Sequence, residues 1–448
     1  MDASQKRNSF LFAACVLFAI NILNFYDRTA PGALVEPMRR EFELTDAQIG
    51  FLGSVFIWLY ALVGVPLGYV ADRWSRKKLL GLGMLVWSSL TAVAAVATTY
   101  PMLVFSRLGV GVGEAVCAPA ATSWLGDLFP REKRSRALAI FMLGVPIGGA
   151  LSFFFSGPIA QAYGWRAAMV LAAVPAVVLI PALLVAYEPE RGASEIQATQ
   201  SNLSEPTRIP ERASMWRVLR IPTFWWIIAS GALLNFNLYA LATFLPAFFA
   251  RVHHLTLARS GVTTGMINLI GGVCGGLIAG HLGDAAMRLR KDGRMLVAAG
   301  AALMSVPLLA FALVQPAGAY VAAACALTLA YGSLVMYYGP VYAAIQDIVA
   351  PTQRGTSMAV YFMAMYMCGA SFGPLLTGHL SDRLARRAAG LGGSAVMTEA
   401  YKAVGLWQAM WIVPVLATLL AGVLYCGSRT IVGDMGAKEE RELATASD

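Results

Sequence analysis

Two neighbouring residues of opposite charge, Asp27 and Arg28, stand inside an otherwise apolar run from Phe10 to Leu34. A second pair, Arg107 and Glu114, interrupts another such run, seven residues apart and therefore on one face of a helix. A charge near the middle of a bilayer costs about 2.5–3.5 kcal/mol on insertion scales, so these side chains are expected to face a wet cavity or each other, and to work there. Acids held between a low dielectric and permanently charged guanidiniums can exchange a proton near neutral pH. Asp27 and Glu114 are therefore candidate proton carriers. Arg28 and Arg107 have the planar fork that grips a phosphate or carboxylate head group with two hydrogen bonds. A bound anion would compete with the acids for the same arginines, which couples cargo to protons. The plainer alternative keeps one pair, Arg107 with Glu114, as scaffold.

The elements that must position these groups are membrane spans. Of the 448 residues 58% are hydrophobic and only 13% charged, against about a quarter charged in a soluble domain; the mean hydropathy is +0.63. With about 20 apolar residues needed per crossing, spans are predicted near 10–36, 46–71, 78–98, 101–126, 135–161 and 166–187. A second set is predicted near 221–250, 258–284, 295–314, 317–347, 355–382 and 402–427. The polar, proline-bearing stretch from Glu188 to Ser214 reads as a linker. The expected domains are thus a six-helix bundle over 1–188, a cytoplasmic linker over 189–214, a second bundle over 215–428 and a tail over 429–448.

The net charge of +9 sits mainly in short loops, without a basic arm or interleaved aromatic patch, so nucleic acid is not an expected partner. Most of these Lys and Arg residues fall on one side, which puts both termini in the cytoplasm of a plasma (inner) membrane. The basic cluster at Arg386 and Arg387 after span eleven runs against that rule. The six cysteines are far apart, each within or bordering an apolar segment; they read as small buried hydrophobes rather than as a redox or metal set. His253 and His254 fall in an outer loop and are expected to be solvated; with His281 and His379 they form no metal pattern. No cofactor, metal site or enzyme activity is expected.

The two halves repeat. GYVAD from Gly68 closes span two and GHLGD from Gly280 closes span eight; Asp127 and Asp347 follow spans four and ten, with Arg134 and Arg354 each seven residues on. The offsets, 212 residues from Asp72 to Asp284 and 220 from Asp127 to Asp347, are similar. Same-orientation repeats point to a pseudo-two-fold axis along the membrane normal.

The stretch GYVADRWSRK from Gly68 resembles the loop signature of the major facilitator superfamily. Within it, NFYDRTAPGAL from Asn24, SRLGVGVGEAVCAPAATSWLGDLF from Ser106, Pro146 in GVPIGG, APTQRGTSMAVYF from Ala350 and GHLSDR from Gly378 are similar to the Spinster family. The resemblance implies an all-α fold of twelve transmembrane helices in two six-helix bundles. It implies that spans one, four, seven and ten line the cavity, and that sphingosine-1-phosphate, a lysophospholipid or a similar anionic amphiphile is carried. The substrate-binding candidates are then Arg28, Arg107, Asn235, Tyr239, Tyr331 and Tyr338. Asp72 and Arg73, with Asp127 and Arg134, and in the second half Asp284, Asp347 and Arg354, are assigned to gating. Protons and membrane lipids are the further partners, and a monomer is expected. Because Asp-Arg in span one and Arg-to-Glu spacing in span four also occur in organic-anion symporters, a carrier of sugar acids is the alternative; a non-transporting receptor is a third reading.

Depth supplies one geometric expectation. Asp27 lies about ten residues from the outer end of its span and Glu114 about thirteen from the outer end of its own, so at about 1.5 Å per residue the two should sit within roughly 5 Å in depth. Two look-alikes are set aside: Gly109, Gly111 and Gly113 are expected to serve helix packing rather than a nucleotide, and Gly369 to Gly373 matches a hydrolase elbow in letters only.

Overall fold

The computed structural model describes residues 3–71, 73–129, 137–138, 140–190, 218–349, 353–393 and 396–447. Among these residues there is no strand, and twelve helices are long and apolar enough to cross a membrane. In the first half they are α1 (Asn8–Ala33), α2 (Asp46–Gly64), α3 (Arg76–Ala95), α4 (Tyr100–Leu128), α5 (Ile140–Tyr163) and α6 (Trp165–Val185). In the second they are α7 (Pro222–Arg251), α8 (Leu257–Leu289), α9 (Gly293–Leu313), α10 (Ala317–Ile348), α11 (Ser357–Leu391) and α12 (Glu399–Lys438). The protein is an integral membrane protein of the all-α class. A helix satisfies every backbone group within its own segment, which is what an apolar solvent demands.

Packing divides the described residues into two units. The first comprises Met1–Leu44, Val55–Thr207 and Thr256–Gly265; the second comprises Thr45–Ser54, Arg208–Leu255 and Met266–Asp448. In the first, small residues let backbones approach: a Cβ on Gly113 would lie 2.8 Å from the Gly83 carbonyl oxygen and the Trp87 nitrogen. Gly109 and Gly113 therefore pack α4 on α3, and Gly111 packs it on α2, as the sequence suggested. In the second, a Cβ on Gly373 would lie 2.4 Å from the Phe236 carbonyl oxygen, so the supposed elbow is a close crossing of α11 on α7, just after a π-helical turn at Tyr366–Ala370.

The second unit also holds a buried ion pair that the sequence did not disclose. Arg251 reaches Asp46 with both terminal nitrogens at 2.8 Å, Ser381 donates to the same carboxylate at 2.6 Å, and Asp382 accepts from the backbone N–H groups of Asp46 and Ala47 at 3.0 and 2.8 Å. The SDR part of the GHLSDR stretch thus caps a helix start, where the free N–H groups favour an anion.

Four expectations need correction. Helix α11 runs on to Leu391, so Arg386 and Arg387 lie on the helix and not in a loop; Arg, Ala and Leu are good helix formers, and helix outlasts hydropathy there. The helix that contains α12 likewise continues to Ser447, where Asp434 accepts from the Thr223 N–H at 2.9 Å and Lys438 donates to the carbonyls of Gln346 and Asp347 at 3.3 and 3.2 Å. Of the six cysteines only Cys117 is buried; the other five are exposed on helix faces, because an apolar run does not say which face turns inward. His253 is buried rather than solvated, packed against Phe248 and Phe249 with Nδ1 3.1 Å from the Ala317 carbonyl oxygen.

Candidate functional site

Asp27 and Arg28 lie on α1 six and five residues before its end at Ala33. Helix α4 carries the other two charges and is interrupted just beyond them: its first piece ends at Glu114 and its second begins at Cys117. Pro119 explains the break, since it has no N–H for the Ala115 carbonyl. All four side chains are turned inward, Asp27 and Glu114 being 1% and 0% exposed and Arg28 and Arg107 8% and 6%.

The pairing crosses between helices. Arg28 Nε donates to Glu114 Oε2 at 3.1 Å, and Arg28 Nη2 reaches Asn24 Oδ1 at 3.4 Å. Arg107 does not pair with Glu114, which corrects the scaffold alternative: seven residues put about 10.5 Å of rise between their backbones. It instead directs Nη1 and Nη2 to the backbone carbonyls of Asp27 and Arg28, each at 3.4 Å. Aromatic faces hold both guanidiniums. Arg28 lies 4.4 Å from the Tyr60 ring centroid and 4.6 Å from that of Phe25, and Arg107 lies 4.6 Å from that of Phe56. Each such contact contributes about 0.5–2 kcal/mol, more as water is excluded.

Two features of this cluster are unsatisfied. Glu114 Oε1 and both carboxylate oxygens of Asp27 are buried without a hydrogen-bond partner among the described residues. The indole Nε1 of Trp87 on α3 is likewise buried without a partner among the described residues. A buried polar atom left alone costs about 1–3 kcal/mol, and more when charged. The cluster therefore holds acceptor capacity that none of the described residues uses.

In the second unit the residues singled out are neutral. Tyr338 donates to Asn235 Oδ1 at 3.3 Å, and Asn235 Nδ2 donates to the Gly231 carbonyl at 2.9 Å and meets Met365 Sδ at 3.3 Å. Tyr239 meets Tyr366 edge to face at 6.3 Å, and Tyr331 lies against Gly271 of α8. Sequence reasoning missed Tyr361 and Tyr366, which α11 adds to this group: Tyr361 donates to Tyr337 Oη at 3.1 Å and meets Tyr342 edge to face at 5.8 Å. Their presence in AVYFMAMY was the available signal. Asn237 is buried with both amide atoms unpartnered.

The gating candidates divide. Asp72 and Arg134 lie outside the described residues. Arg73 and Arg354 are exposed. Asp127 is engaged by Arg76, a residue of the loop signature that the sequence reading did not single out. The Arg76 side chain is 1% exposed and also meets Glu188 Oε1 at 3.3 Å and the Pro189 carbonyl at 2.6 Å. Burial pushes the Glu188 carboxyl up, but the hydrogen bonds it accepts from Ser75, Arg76 and Lys77 outweigh that and hold it below its ordinary value. In the second unit Arg294 joins Asp347 and, at 3.4 Å, Asp284. The two latches match across the repeat, Arg76 to Asp127 spanning 51 residues and Arg294 to Asp347 spanning 53.

Comparison with known proteins agrees with this architecture. The family model described as Major Facilitator Superfamily matches residues 17–374. An "MFS-type efflux pump" of Mycolicibacterium smegmatis is 32% identical over 375 residues, 83% of this chain and 84% of the relative. Human "Protein spinster homolog 1" is 29% identical over 86% of this chain and 75% of its own length. The "Sphingosine-1-phosphate transporter SPNS2" of Danio rerio is 24% identical over 97% and 87%. Among solved structures, a bacterial homologue of the human lysosomal transporter Spinster, in an inward-facing and unoccupied conformation, superposes with a TM-score of 0.82 at 25% identity, covering 95% of this chain and 98% of the other. A D-xylose-proton symporter, at 17% identity and a TM-score of 0.66 over 90% of this chain and 97% of its own, shares the fold alone. This chain belongs to the Major Facilitator Superfamily of transporters.

Proposed function

We propose that this transporter couples protons to the movement of a lysolipid or similar anionic amphiphile by alternating access. The observation that carries the reading is the inward cluster of α1 and α4, where two guanidiniums face two carboxylates and three carboxylate oxygens have no partner. Asp27 and Glu114 are the proton carriers. Arg28 and Arg107 bind the anionic head group, which displaces Glu114 from Arg28 and leaves that acid to be protonated. Asn235, Tyr239, Tyr331 and Tyr338 are the substrate-contacting residues of the second unit. The Danio rerio relative is named for sphingosine-1-phosphate, a phosphate head on a long apolar chain, which supports this substrate class.

The same reading makes the moving bodies the bundles over 1–188 and 215–428, joined by residues 189–214 and followed by residues 429–448. The protein works as a monomer, in contact with membrane lipid, in the plasma (inner) membrane with both termini cytoplasmic. Arg73, Asp127, Asp284, Asp347 and Arg354, with Asp72 and Arg134, serve the gate at the cytoplasmic ends.

Reconstituted protein, given lysophospholipids, sphingosine-1-phosphate or sugar acids at two pH values, tests the assignment. Uptake of the lipids driven by a pH gradient, lost in Asp27→Asn and in Glu114→Gln while binding survives in part, is the expected result. Full gradient-driven uptake by both variants would falsify the proton assignment, and uptake of sugar acids in place of lipids would overturn the substrate.

A further inference from the structure

The arginines at the end of α11 take no part in the proposed transport cycle, and they run against the charge bias of the loops. Helix α11 covers 35 residues, about 52 Å at 1.5 Å per residue, whereas about 20 residues cross the hydrocarbon core. Its end therefore stands at or beyond the level of the lipid head groups. The repeat offset of 220 residues puts Tyr163, where α5 stops, level with Arg383. Leu384 to Leu391 are thus an extension that α5 lacks.

One face of this helix stays open. With 3.6 residues per turn, Phe372, Leu376, His379, Arg383, Arg386 and Arg387 fall within an arc of about 100°, and all six are exposed. The opposite face, with Gly378, Ser381, Ala385 and Ala389, is buried. A Cβ on Gly405 of α12 would lie 2.6 Å from the Ala385 Cβ, a close crossing that fixes the rotation of α11. The open face is apolar first, with Phe372 39% and Leu376 45% exposed, and basic from Arg383, about 10 Å further along. The three guanidiniums have no ion pair or hydrogen bond among the described residues. The acids nearest in sequence are engaged: Asp382 accepts from the N–H groups of Asp46 and Ala47, and Glu399 pairs with Lys402 at 3.1 Å. Like charges three and four residues apart on a helix repel. None of the three lies in the last turn, where the helix dipole would favour it.

We propose that this face of α11 binds an anionic phospholipid of the surrounding bilayer, its phosphate held by Arg383, Arg386 and Arg387 and an acyl chain lying along Leu376 and Phe372. Guanidiniums grip a phosphate with paired hydrogen bonds. Long arginine stems reach from apolar surface to head-group level. The apolar continuation of the face is what identifies a lipid: a soluble phosphate would use the arginines and leave Phe372 and Leu376 without a role. The surface uses none of the residues assigned to transport, so it stands or falls independently of that assignment.

Photoactivatable lipids test this with the full chain in phosphatidylcholine nanodiscs. Phosphatidylglycerol bearing a diazirine in its acyl chain should crosslink preferentially to residues 372–391. Phosphatidylcholine with the same diazirine should label that segment at least about fivefold less, since each basic residue near an anionic lipid contributes about that factor. The combined variant Arg383→Gln, Arg386→Gln, Arg387→Gln should remove the excess. If that variant fails to fold, about 0.5 M NaCl with the native chain should remove it instead. Equal labelling by the two lipids, or an excess that survives these changes, overturns the inference. An excess abolished by millimolar inorganic phosphate gives the arginines to a soluble anion and also overturns it. A dimer of the native chain that the combined variant dissolves would give the face to a second copy, with the same consequence.

Discussion

In the first unit, mid-span burial is built from charges: Asp27, Arg28, Arg107 and Glu114, seated on Phe25, Phe56 and Tyr60. In the second, α7, α10 and α11 bring together Asn235, Tyr337, Tyr338 and Tyr361, joined by neutral hydrogen bonds and ring edges, with Asn237 buried and unpartnered. At helix ends the units agree, each tying the start of one span, α3 or α9, to the end of the next, α4 or α10, with an Arg–Asp pair. A repeat that keeps its ends and changes its middle has separated two jobs. The ends hold helices together in both halves, and the middle is specialised. Buried ion pairs are poor stabilisers compared with apolar residues of equal volume, so stability alone does not account for charges in mid-span.

Breaking the charged half should cost most. Arg28→Ala leaves Glu114 buried beside no compensating charge at its Oε2, and about 3–5 kcal/mol of stability should be lost. In the second unit Asn235→Ala removes the acceptor of Tyr338 and should cost about 1–3 kcal/mol. Thermal unfolding in detergent compares them directly. The double variant Arg28→Met with Glu114→Gln should regain most of the lost stability and no proton-driven transport. Equal losses in Arg28→Ala and Asn235→Ala would erase the contrast between the units.

The latches sharpen the comparison on a smaller scale. Arg76 is 1% exposed and serves Asp127, Glu188 and two backbone carbonyls, whereas Arg294 is 20% exposed and one of its acids, Asp284, is 74% exposed. Arg76→Ala should therefore cost about 3 kcal/mol, and Arg294→Ala, screened by water, only about 1 kcal/mol. Matching thermal shifts for the two would mean that the ends are as interchangeable energetically as they look in sequence.

Much of this was readable from residues alone, for identifiable reasons. Asp27 and Arg28 stand out because a charge in an apolar run has few uses, and the twelve spans stand out because bilayer thickness sets a length. Which guanidinium meets which acid was not readable: spacing along α4 places Arg107 and Glu114 on one face but says nothing of how α1 is rotated against it. Trp87 was passed over because an aromatic residue in a span resembles any other core or lipid-facing residue until its N–H is found without a partner. Asp46 and Arg251 sit at helix ends, where charges are ordinary, so only their mutual burial distinguishes them. His253 misled for a related reason: a loop residue is solvated or not according to what packs over it.

That histidine supplies the smallest and most pH-specific difference between the units. Burial pushes the His253 imidazole below its ordinary 6.5; the Ala317 carbonyl works against this, and the neighbouring His254 adds to it. Between the folded value and 6.5 the unfolded chain binds a proton that the folded protein refuses, so stability is complete above about 6.5 and declines as the pH falls through that window. The slope cannot exceed about 1.4 kcal/mol per pH unit for one proton. In the first unit the comparable residue between spans is Glu41, which Arg166 and Trp165 hold by hydrogen bonds of 2.6 Å to Oε2. The bond from Arg166, against a small opposing effect of burial, keeps the Glu41 carboxyl below its ordinary 4.5. Its contribution is present above 4.5 and fades only in stronger acid, and its exposure makes it small. A thermal-midpoint scan from pH 8 downward should therefore show a first decline near 6.5 that disappears in His253→Phe and survives in Glu41→Gln. A first decline that survives in His253→Phe would place the sensitivity elsewhere and remove this distinction between the two loops.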